Sequence, residues 1–578
     1  MAAFGPGLRR RDALLGISSA AVLASLGCRR LDPVERLPVI PDTAYAIDVH
    51  CHVFNARDLP VASFVLDVVL EGKPIGNLPL VPLVTLVALV MDLSTWPPSK
   101  ELRALERGEV RPRAARDGVL AFDDSSIEAD IEVAAAQLLA DTPRAAAFRQ
   151  KATELLSGRG ERLAATAALD RGNFELLDLL AQRDPARAVR SRGLSLRDRA
   201  GALPAEAARG AMAGEDEVTG VFRLAKLVTR PRTELIRRLI TLPARNDGDV
   251  ALLIPALIDY SKWLNEGNSS LRDQIDVMSA IARAPGPYAV HPYVPFCPWR
   301  QMDEPGHLAM VKDAVEHRGF IGVKLYPVMG YLPYGNAQAL DPQDYPPRLQ
   351  REKNWAARLD QGLADLYDWC IAKDVPVMAH CSYSQFPSEA AGKRGSPTAW
   401  QPVLRRWPGL RLNLGHFGGF WDLEKKDSNG WTETIVEMMK SHPNLYADLS
   451  DFDAVAERTA EQKAANATVL RKLREILDRV GGPARSRLMY GTDWVLLSKA
   501  PGAEDYYEGM RTGLTGRLGM TATQAAGFMG MNAARFLGIA LENGGKPKSR
   551  QRLEAFHARP GGVPASFWTR WDNAAEFA

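Results

Sequence analysis

Short apolar runs rich in β-branched residues recur along the second half of the chain, separated by stretches with helical periodicity. The runs cover residues 250–257, 288–296, 320–326, 375–380, 410–415, 445–449 and 487–490. Segments 306–317, 355–373 and 432–440 lie between runs and are amphipathic at helical spacing. Because strands that alternate with helices pair side by side in one direction, this pattern predicts a parallel sheet.

An eighth apolar run comes much earlier, at residues 45–53. Eight parallel strands are the number that closes a (β/α)8 TIM barrel. We therefore predict an α/β fold in which residues 45–58 and 248–545 form the barrel. Residues 59–247 would form a long, mainly helical insertion after strand 1, at the active-site end, and residues 546–578 a C-terminal tail.

The insertion opens on an unusual apolar stretch at residues 78–90, which contains Pro79 and Pro82. Two prolines argue against one straight helix. We interpret the stretch as a buried helix packed on the domain, with a membrane-dipping hairpin as the alternative.

The N-terminus predicts export. Three arginines, at positions 9–11, precede a weakly apolar stretch that ends at Gly27-Cys28, as in a secretory signal. Residues 1–28 resemble a bacterial twin-arginine signal, although Ala13 stands where an aromatic residue is usual. Residues 25–28 also resemble a lipoprotein cleavage box, with Ser25 replacing a branched aliphatic residue. We therefore expect the protein in the cell envelope or periplasm, tethered to the membrane if Cys28 is lipidated. The alternative is that residues 1–28 stay uncut as a membrane anchor. Residues 29–44 are predicted to be a linker.

The composition and the net charge limit the classes of ligand that we expect the protein to bind. The 578 residues carry 72 Lys and Arg against 69 Asp and Glu, a net charge of +3. Since the arginines are interspersed with acids and alanine, no nucleic-acid partner is predicted. The five cysteines form no C-x-x-C pair, which argues against a zinc ribbon or redox motif. A small-molecule substrate is expected, and the sequence predicts no oligomeric state.

Polar side chains mark the ends of the predicted strands. His50 and His52 end strand one, and residues two apart on a strand point to the same side, so their imidazoles form half of a divalent metal site. Lys324 lies on strand four, and His380 and His416 end strands five and six. Asp493 follows strand eight. The other five histidines, at strand starts, in helices or in the tail, are predicted to be structural or exposed: His291, His307, His317, His442 and His557.

Together these motifs resemble the amidohydrolase superfamily, in particular the amidohydrolase-related branch that includes aminocarboxymuconate-semialdehyde decarboxylase. The resemblance covers residues 45–55 and 250–540, and the insertion has no counterpart in it. It is carried by the motifs at residues 48–52, 322–327, 379–380, 415–419 and 490–494, and by the segment 530–538, which is similar to the helix that closes such barrels.

The resemblance implies one divalent metal, zinc by preference, bound by His50, His52, His380 and Asp493. Three imidazoles and a carboxylate suit zinc and leave a position open for water. Asp493 would also take a proton from that water. His416 would act as a general acid/base or hold the substrate oxygen, with a second metal ligand as the alternative.

Lys324 has two interpretations. As an ammonium it would bind an anionic or carbonyl group of the substrate, since a single metal is usual in this branch. As a carboxylated lysine it would bridge two metals, as in some members of the superfamily.

Three functions follow. The leading hypothesis is a hydrolase in which metal-activated water attacks a C–N or C–O bond of an amide, lactone or ester. The second is a metal-dependent, non-oxidative decarboxylase of an unsaturated or aromatic acid. The third is a non-catalytic envelope lipoprotein whose insertion recruits a partner. Barrel loops set specificity, so the sequence does not identify the substrate.

Replacing both Arg10 and Arg11 by lysine should abolish export, because a twin-arginine signal depends on the arginine pair. Cell fractionation should find the double variant in the cytoplasm and the parent chain in the envelope. Unchanged envelope location would contradict the twin-arginine prediction.

Overall fold

The computed structural model describes the barrel and the segments that pack against it. The described residues are 45–59, 95–108, 224, 227–241, 249–264, 269–284, 288–338, 350, 353–383, 389–420, 423, 429–452, 460–500 and 503–572. The predicted export signal with Cys28, the linker at 29–44, the apolar stretch at 78–90 and most of the predicted insertion lie outside this set. Among the described residues, no helix is long and apolar enough to cross a membrane.

The chain divides into two compact units. One comprises Met1–Glu35, Pro74–Ser94 and Ala121–Ala225, and the other Arg36–Lys73, Thr95–Leu120 and Lys226–Ala578. All the described residues except Leu224 belong to the second unit, which is the subject of the following paragraphs.

The described residues of the second unit include nine parallel strands, and every predicted apolar run contains at least one of them. The strands are β1 Ala46–Cys51, β2 Val250–Pro255, β3 Ala289–Val290, β4 Tyr293–Pro295, β5 Gly322–Leu325, β6 Val377–His380, β7 Leu412–Gly415, β8 Leu445–Asp448 and β9 Leu488–Met489. They pair in the order β1-β2-β3 and β4-β5-β6-β7-β8-β9.

Strands β3 and β4 are two parts of one barrel strand. Only two residues separate them, and β2 continues alongside both, because Ala256 forms a parallel bridge with Tyr293. The N–H of Leu257 also donates to the Tyr293 carbonyl, at 3.2 Å. Counted together, β3 and β4 give the eight barrel strands that the sequence predicted.

Backbone hydrogen bonds close the ring between the last strand and the first. The N–H of Val49 donates to the Tyr490 carbonyl at 3.1 Å. The N–H groups of Thr492 and Asp493 both donate to the His50 carbonyl, at 3.0 and 2.8 Å. The predicted α/β barrel is therefore confirmed, and its closing contacts involve two residues of the predicted site.

Helices follow the strands as the periodicity predicted. They cover Pro98–Glu106, Arg232–Thr241, Ser261–Leu264, Leu271–Arg283, Pro298–Asp303, His307–His317, Trp355–Lys373, Glu389–Lys393, Gln401–Arg406, Trp431–Ser441, Ala460–Val480, Gly482–Arg485, Tyr506–Gly516, Ala522–Ala526, Asn532–Leu537, Lys548–His557 and Ala565–Thr569. Helix 271–283 begins where the Ser270 side chain accepts the N–H of Asp273, and helix 355–373 ends at Asp374 in the left-handed conformation.

The C-terminal residues are part of the core. Phe567, Trp568 and Trp571 are at most 1% exposed and pack in the same cluster as the residues of the first strands. His557 contributes a polar contact, because its Nε2 lies 3.0 Å from Nε2 of buried His291. His291 in turn bonds the Gly319 carbonyl through Nδ1, at 2.8 Å. These two histidines therefore have the structural role that the sequence predicted for them.

A buried group of three charges joins the loop after β1 to two helices. The guanidinium of Arg232 donates to Glu101 at 2.7 Å and to Asp58, and all three side chains are fully buried. Glu101 also accepts the N–H of Thr233, at 3.2 Å. Because buried charges are costly unless they are paired, these partners fix helices 98–106 and 232–241 to the loop.

Substituting Arg232→Ala should lower the free energy of unfolding by about 3–5 kcal/mol, since it leaves two carboxylates buried without their partner. Denaturant unfolding followed by circular dichroism measures the loss. Arg237→Ala on the same helix is the control, because Arg237 and its partner Glu234 are 39% and 22% exposed. That partly exposed pair should contribute less than about 1 kcal/mol to the free energy of unfolding. Equal losses of unfolding free energy in the two variants would contradict the prediction.

Candidate metal centre

A β-bulge in β1 presents the two histidines. Asp48 aligns with Leu253 and Cys51 with Pro255, so β1 has one residue more than β2 over this stretch. The bulge interrupts strict alternation, and the side chain of Asp48 bonds the Thr492 hydroxyl at 2.7 Å instead of joining the histidines. The ring centroids of His50 and His52 are 5.4 Å apart.

Asp448, at the end of β8, orients the His50 ring. Its two oxygens lie 3.1 and 3.2 Å from Nδ1 of His50. The same carboxylate accepts the Asn413 amide at 2.7 Å and the N–H groups of His416 and Ser450 at 3.2 Å. With this many donors the carboxylate is ionised, and Nδ1 of His50 must carry a proton. The Nε2 lone pair of His50 therefore faces the site.

The pKa values of this pair agree with that assignment. Burial first, and then the ammonium of Lys324, lower the pKa of His50 to about 3, so the ring is neutral. Burial opposes ionisation of Asp448, but the charge and hydrogen bond of His50 hold the pKa of Asp448 well below its usual value.

His52 is oriented by the backbone. Its Nδ1 lies 2.9 Å from the Ala256 carbonyl, which can only accept, so Nδ1 carries a proton. Nε2 of His52 and Nε2 of His50 lie 3.2 and 3.4 Å from the same oxygen, Oδ1 of Asp493. That oxygen is buried and accepts no hydrogen bond in the structure.

Three acceptor atoms thus converge, all within 4.8 Å of one another, from His50, His52 and Asp493. Acceptor atoms that face each other at these distances suit a cation between them. Two imidazole nitrogens and a carboxylate oxygen are ligands that divalent transition metals prefer, so this group fits such an ion.

His380 lies beside this group. Its ring stacks on Tyr326 with centroids 5.5 Å apart and meets His416 at 4.8 Å. Nε2 of His380 is 3.0 Å from the Ser382 hydroxyl. Because His380 does not belong to the convergent group of three, its role as a metal ligand stays a prediction.

Lys324 is fully buried next to the same group. Its Nζ is 3.1 Å from Nε2 of His50 and 4.7 Å from the ring centroid of Tyr326. Burial lowers the pKa of Lys324 to about 7, although Asp448 and Asp493 act in the opposite direction. Both interpretations of this lysine, as a substrate-binding ammonium and as a bridging carboxylated lysine, stay open.

The two residues predicted to be catalytic have left-handed backbones. The φ angle is 62° at His416 and 54° at Asp493, values that are uncommon for residues other than glycine. The turn after His416 also needs glycine, because a Cβ at Gly418 would lie 2.9 Å from the Trp431 backbone. Such conformations persist only where surrounding contacts enforce them, and they concentrate at functional sites.

Two residues of the site, Asp448 and Ser450, are absent from the sequence prediction. Asp448 is the last residue of β8, and Ser450 follows two positions later. Polar residues at the end of a buried strand are the same signal that identified the site residues on the other strands. The Ser450 hydroxyl lies 2.9 Å from Nδ1 of His50 and 3.0 Å from Nδ1 of His416.

Residues 288–539 match the protein-family model described as Amidohydrolase. The range contains the last six barrel strands, with His380, His416 and Asp493, and excludes His50 and His52. A comparison with curated proteins gives no match.

Several solved structures are similar to part of the chain. An amidohydrolase from Burkholderia multivorans with bound HEPES is 16% identical over 51% of this chain and 85% of its own, with a TM-score of 0.34. A zinc-bound structure of an amidohydrolase from the same organism is 17% identical over 51% and 85%, with a TM-score of 0.33. The 4-oxalomesaconate hydratase of Rhodopseudomonas palustris is 13% identical over 56% and 84%, with a TM-score of 0.34. None of the three identifies the reaction of this chain.

Substituting Asp448→Asn should weaken metal binding by about 10–100-fold, the usual effect of removing the partner that orients a ligating histidine. The amide no longer offers an ionised acceptor to Nδ1 of His50. Competition with a chromophoric chelator measures the Kd. Asp276→Asn, in a partly exposed pair with Arg318, should leave the Kd unchanged. Equal affinities of the parent chain and Asp448→Asn would contradict the orienting role.

Proposed function

We propose that this chain, whose residues 288–539 belong to the amidohydrolase superfamily, is a metal-dependent hydrolase that cleaves a C–N or C–O bond of a small molecule. The observation that carries the proposal is the convergence of His50, His52 and Asp493 on one point. All three lie at the C-terminal ends of barrel strands, where barrel enzymes hold their active sites.

Zinc is the metal that we propose. It suits mixed nitrogen and oxygen ligands, and His380, whose ring is 4.8 Å from that of His416, would be the fourth protein ligand. A divalent ion bound here supplies an activated water near neutral pH and polarises a carbonyl group.

The protein's own groups supply the proton transfer and the orientation. Burial opposes ionisation of Asp493, but its contacts with His52, His416 and His50 hold its pKa below the usual value. Asp493 is thus ionised at neutral pH, and it would accept a proton from the attacking water and pass it to the leaving group. The Lys324 ammonium would bind an anionic or carbonyl group of the substrate.

A non-oxidative decarboxylase is the second candidate, and Lys324 favours it. A fully buried ammonium beside the face of Tyr326 is a suitable partner for the carboxylate of a planar acid. The metal-binding residues would then orient the substrate, and His416 would protonate carbon. We include export in the same proposal, so either reaction would take place in the cell envelope.

The purified chain should contain about one equivalent of divalent metal per chain, and His50→Ala should lose both the metal and the activity. Asp493→Asn should lower kcat by at least about 10²-fold, as expected for loss of a general base. Elemental analysis and a screen of lactones, amides, esters and aromatic acids measure these effects. His317→Ala is the matched control, because His317 is exposed at the end of its helix.

Product analysis separates the two reactions. Incorporation of oxygen from labelled water supports hydrolysis, and release of carbon dioxide without such incorporation supports the decarboxylase. If the protein contains no stoichiometric metal after mild purification, both proposed reactions are contradicted. That result would favour the non-catalytic scaffold.

A further inference from the structure

The side-chain hydroxyl of Thr492, the residue before Asp493, takes part in two hydrogen bonds. It lies 2.7 Å from Oδ2 of Asp48 on β1, and the N–H of Trp494 donates to it at 3.0 Å. The side chains of Thr492, Asp48 and Trp494 are all buried. One buried hydroxyl therefore connects the first barrel strand to the residue on the far side of Asp493.

The bond to Trp494 encloses Asp493 in a side-chain turn. A threonine oxygen that accepts the N–H two residues later forms such a turn, and Asp493 is the residue between the two. The left-handed φ of 54° at Asp493 persists only where surrounding contacts enforce it. Because the turn joins the residues on either side of Asp493, it is one of the contacts that enforce this backbone.

The bond to Asp48 places the same turn relative to the two histidines. Oδ1 of Asp48 accepts the N–H of Thr492 at 3.1 Å and the N–H of His50 at 3.3 Å, while Oδ2 meets the Thr492 hydroxyl. One carboxyl group thus contacts both the strand that carries the histidines and the turn that carries Asp493.

The position of Oδ1 of Asp493 depends on this turn. That oxygen lies 3.2 Å from Nε2 of His52 and 3.4 Å from Nε2 of His50. Groups that bind one ion must be held to within about 0.5 Å of their productive geometry. The backbone bonds to the His50 carbonyl would form with any residue except proline at position 492, whereas the bonds to Asp48 Oδ2 and to the Trp494 N–H depend on the hydroxyl.

We propose that Thr492 is a positioning residue that sets Asp493 for metal binding. It would act through the turn, without contact with the metal or the substrate. The inference rests on the proposed function, because it takes Asp493 to be a metal ligand, and it extends that function to a residue outside the convergent group. Loss of the hydroxyl should then weaken metal binding, and only through Asp493.

The test is the affinity of the full-length chain for Zn²⁺, measured by competition with a chromophoric chelator. Thr492→Val keeps the shape of the side chain without the hydroxyl and should raise the Kd by about 10-fold or more, as for other residues that orient metal ligands. Thr492→Ala removes the same hydroxyl and should have the same effect, so the result does not depend on how well valine fits. Thr492→Ser keeps the hydroxyl and should bind Zn²⁺ as the parent chain does. A parental Kd in Thr492→Val and Thr492→Ala, or a weakened Kd in Thr492→Ser, would overturn the proposal.

A double-mutant cycle separates positioning from a general structural effect. Asp493→Ala retains His50 and His52 and should bind Zn²⁺ more weakly than the parent chain. Adding Thr492→Val to Asp493→Ala should cause no further loss of affinity, because no carboxylate is left to position. A further loss as large as that in the parent chain would show that Thr492 acts independently of Asp493, and would overturn the proposal.

Asn532→Ala is the matched control for a loss of stability. The buried Asn532 amide donates to the Arg485 and Leu488 carbonyls, at 3.1 and 2.8 Å, and Leu488 begins the strand that precedes Thr492. Like Thr492→Val, this variant loses two buried hydrogen bonds and should lower the free energy of unfolding in denaturant. Its Kd for Zn²⁺ should be that of the parent chain. An equal loss of affinity in Asn532→Ala and Thr492→Val would overturn the proposal.

These measurements use the metal alone and need no substrate. A parent chain that does not bind Zn²⁺ would contradict the proposed metal-dependent function, and this inference with it. A parent chain that binds Zn²⁺, and keeps its affinity when the Thr492 hydroxyl is removed, would overturn the role of Thr492 alone.

Discussion

The candidate site depends on one buried negative charge, the carboxylate of Asp448. An ionised group away from water is costly unless its oxygens are hydrogen-bonded, and here four donors satisfy it. Those donors come from β1, from β7 and from the segments that follow β7 and β8. The carboxylate therefore does more than orient His50: it holds the ends of three barrel strands at fixed separations, and it brings His416 and Ser450 to the same point.

Closure of the barrel and assembly of the site use the same backbone. The His50 carbonyl accepts the N–H groups of Thr492 and Asp493, and these bonds join the last barrel strand to the first. They also fix the left-handed backbone of Asp493, whose Oδ1 lies 3.4 Å from Nε2 of His50. A chain that failed to close the ring would separate the carboxylate from the histidines, so stability of the barrel and formation of the metal group are linked.

The periodicity of the sequence was sufficient to predict the barrel, because buried parallel strands are continuous apolar runs and their polar ends mark the site. It singled out His50 and His52, which lie beside Asp493 in the structure even though a bulge in β1 interrupts the alternation on which the prediction relied. The contacts of Asp448 and Ser450 were not predictable in this way. They depend on distances across the barrel between residues some 400 positions apart, which no local pattern records. The packing of Trp568 and Trp571 into the core is a long-range property of the same kind.

The charges of the buried site indicate why a cation and an anion would both be favoured there. Asp448 and Asp493 are ionised and His50 is neutral, so with Lys324 as an ammonium these four buried side chains together carry one net negative charge. A divalent ion at the convergent oxygen and nitrogens reverses the sign to one positive charge. In a low-dielectric site, that surplus favours the negative charge that develops on an attacked carbonyl or is carried by a substrate carboxylate. As an ammonium, Lys324 would contribute to this balance in both proposed reactions, so the balance of charge would favour substrates that are anionic or become so.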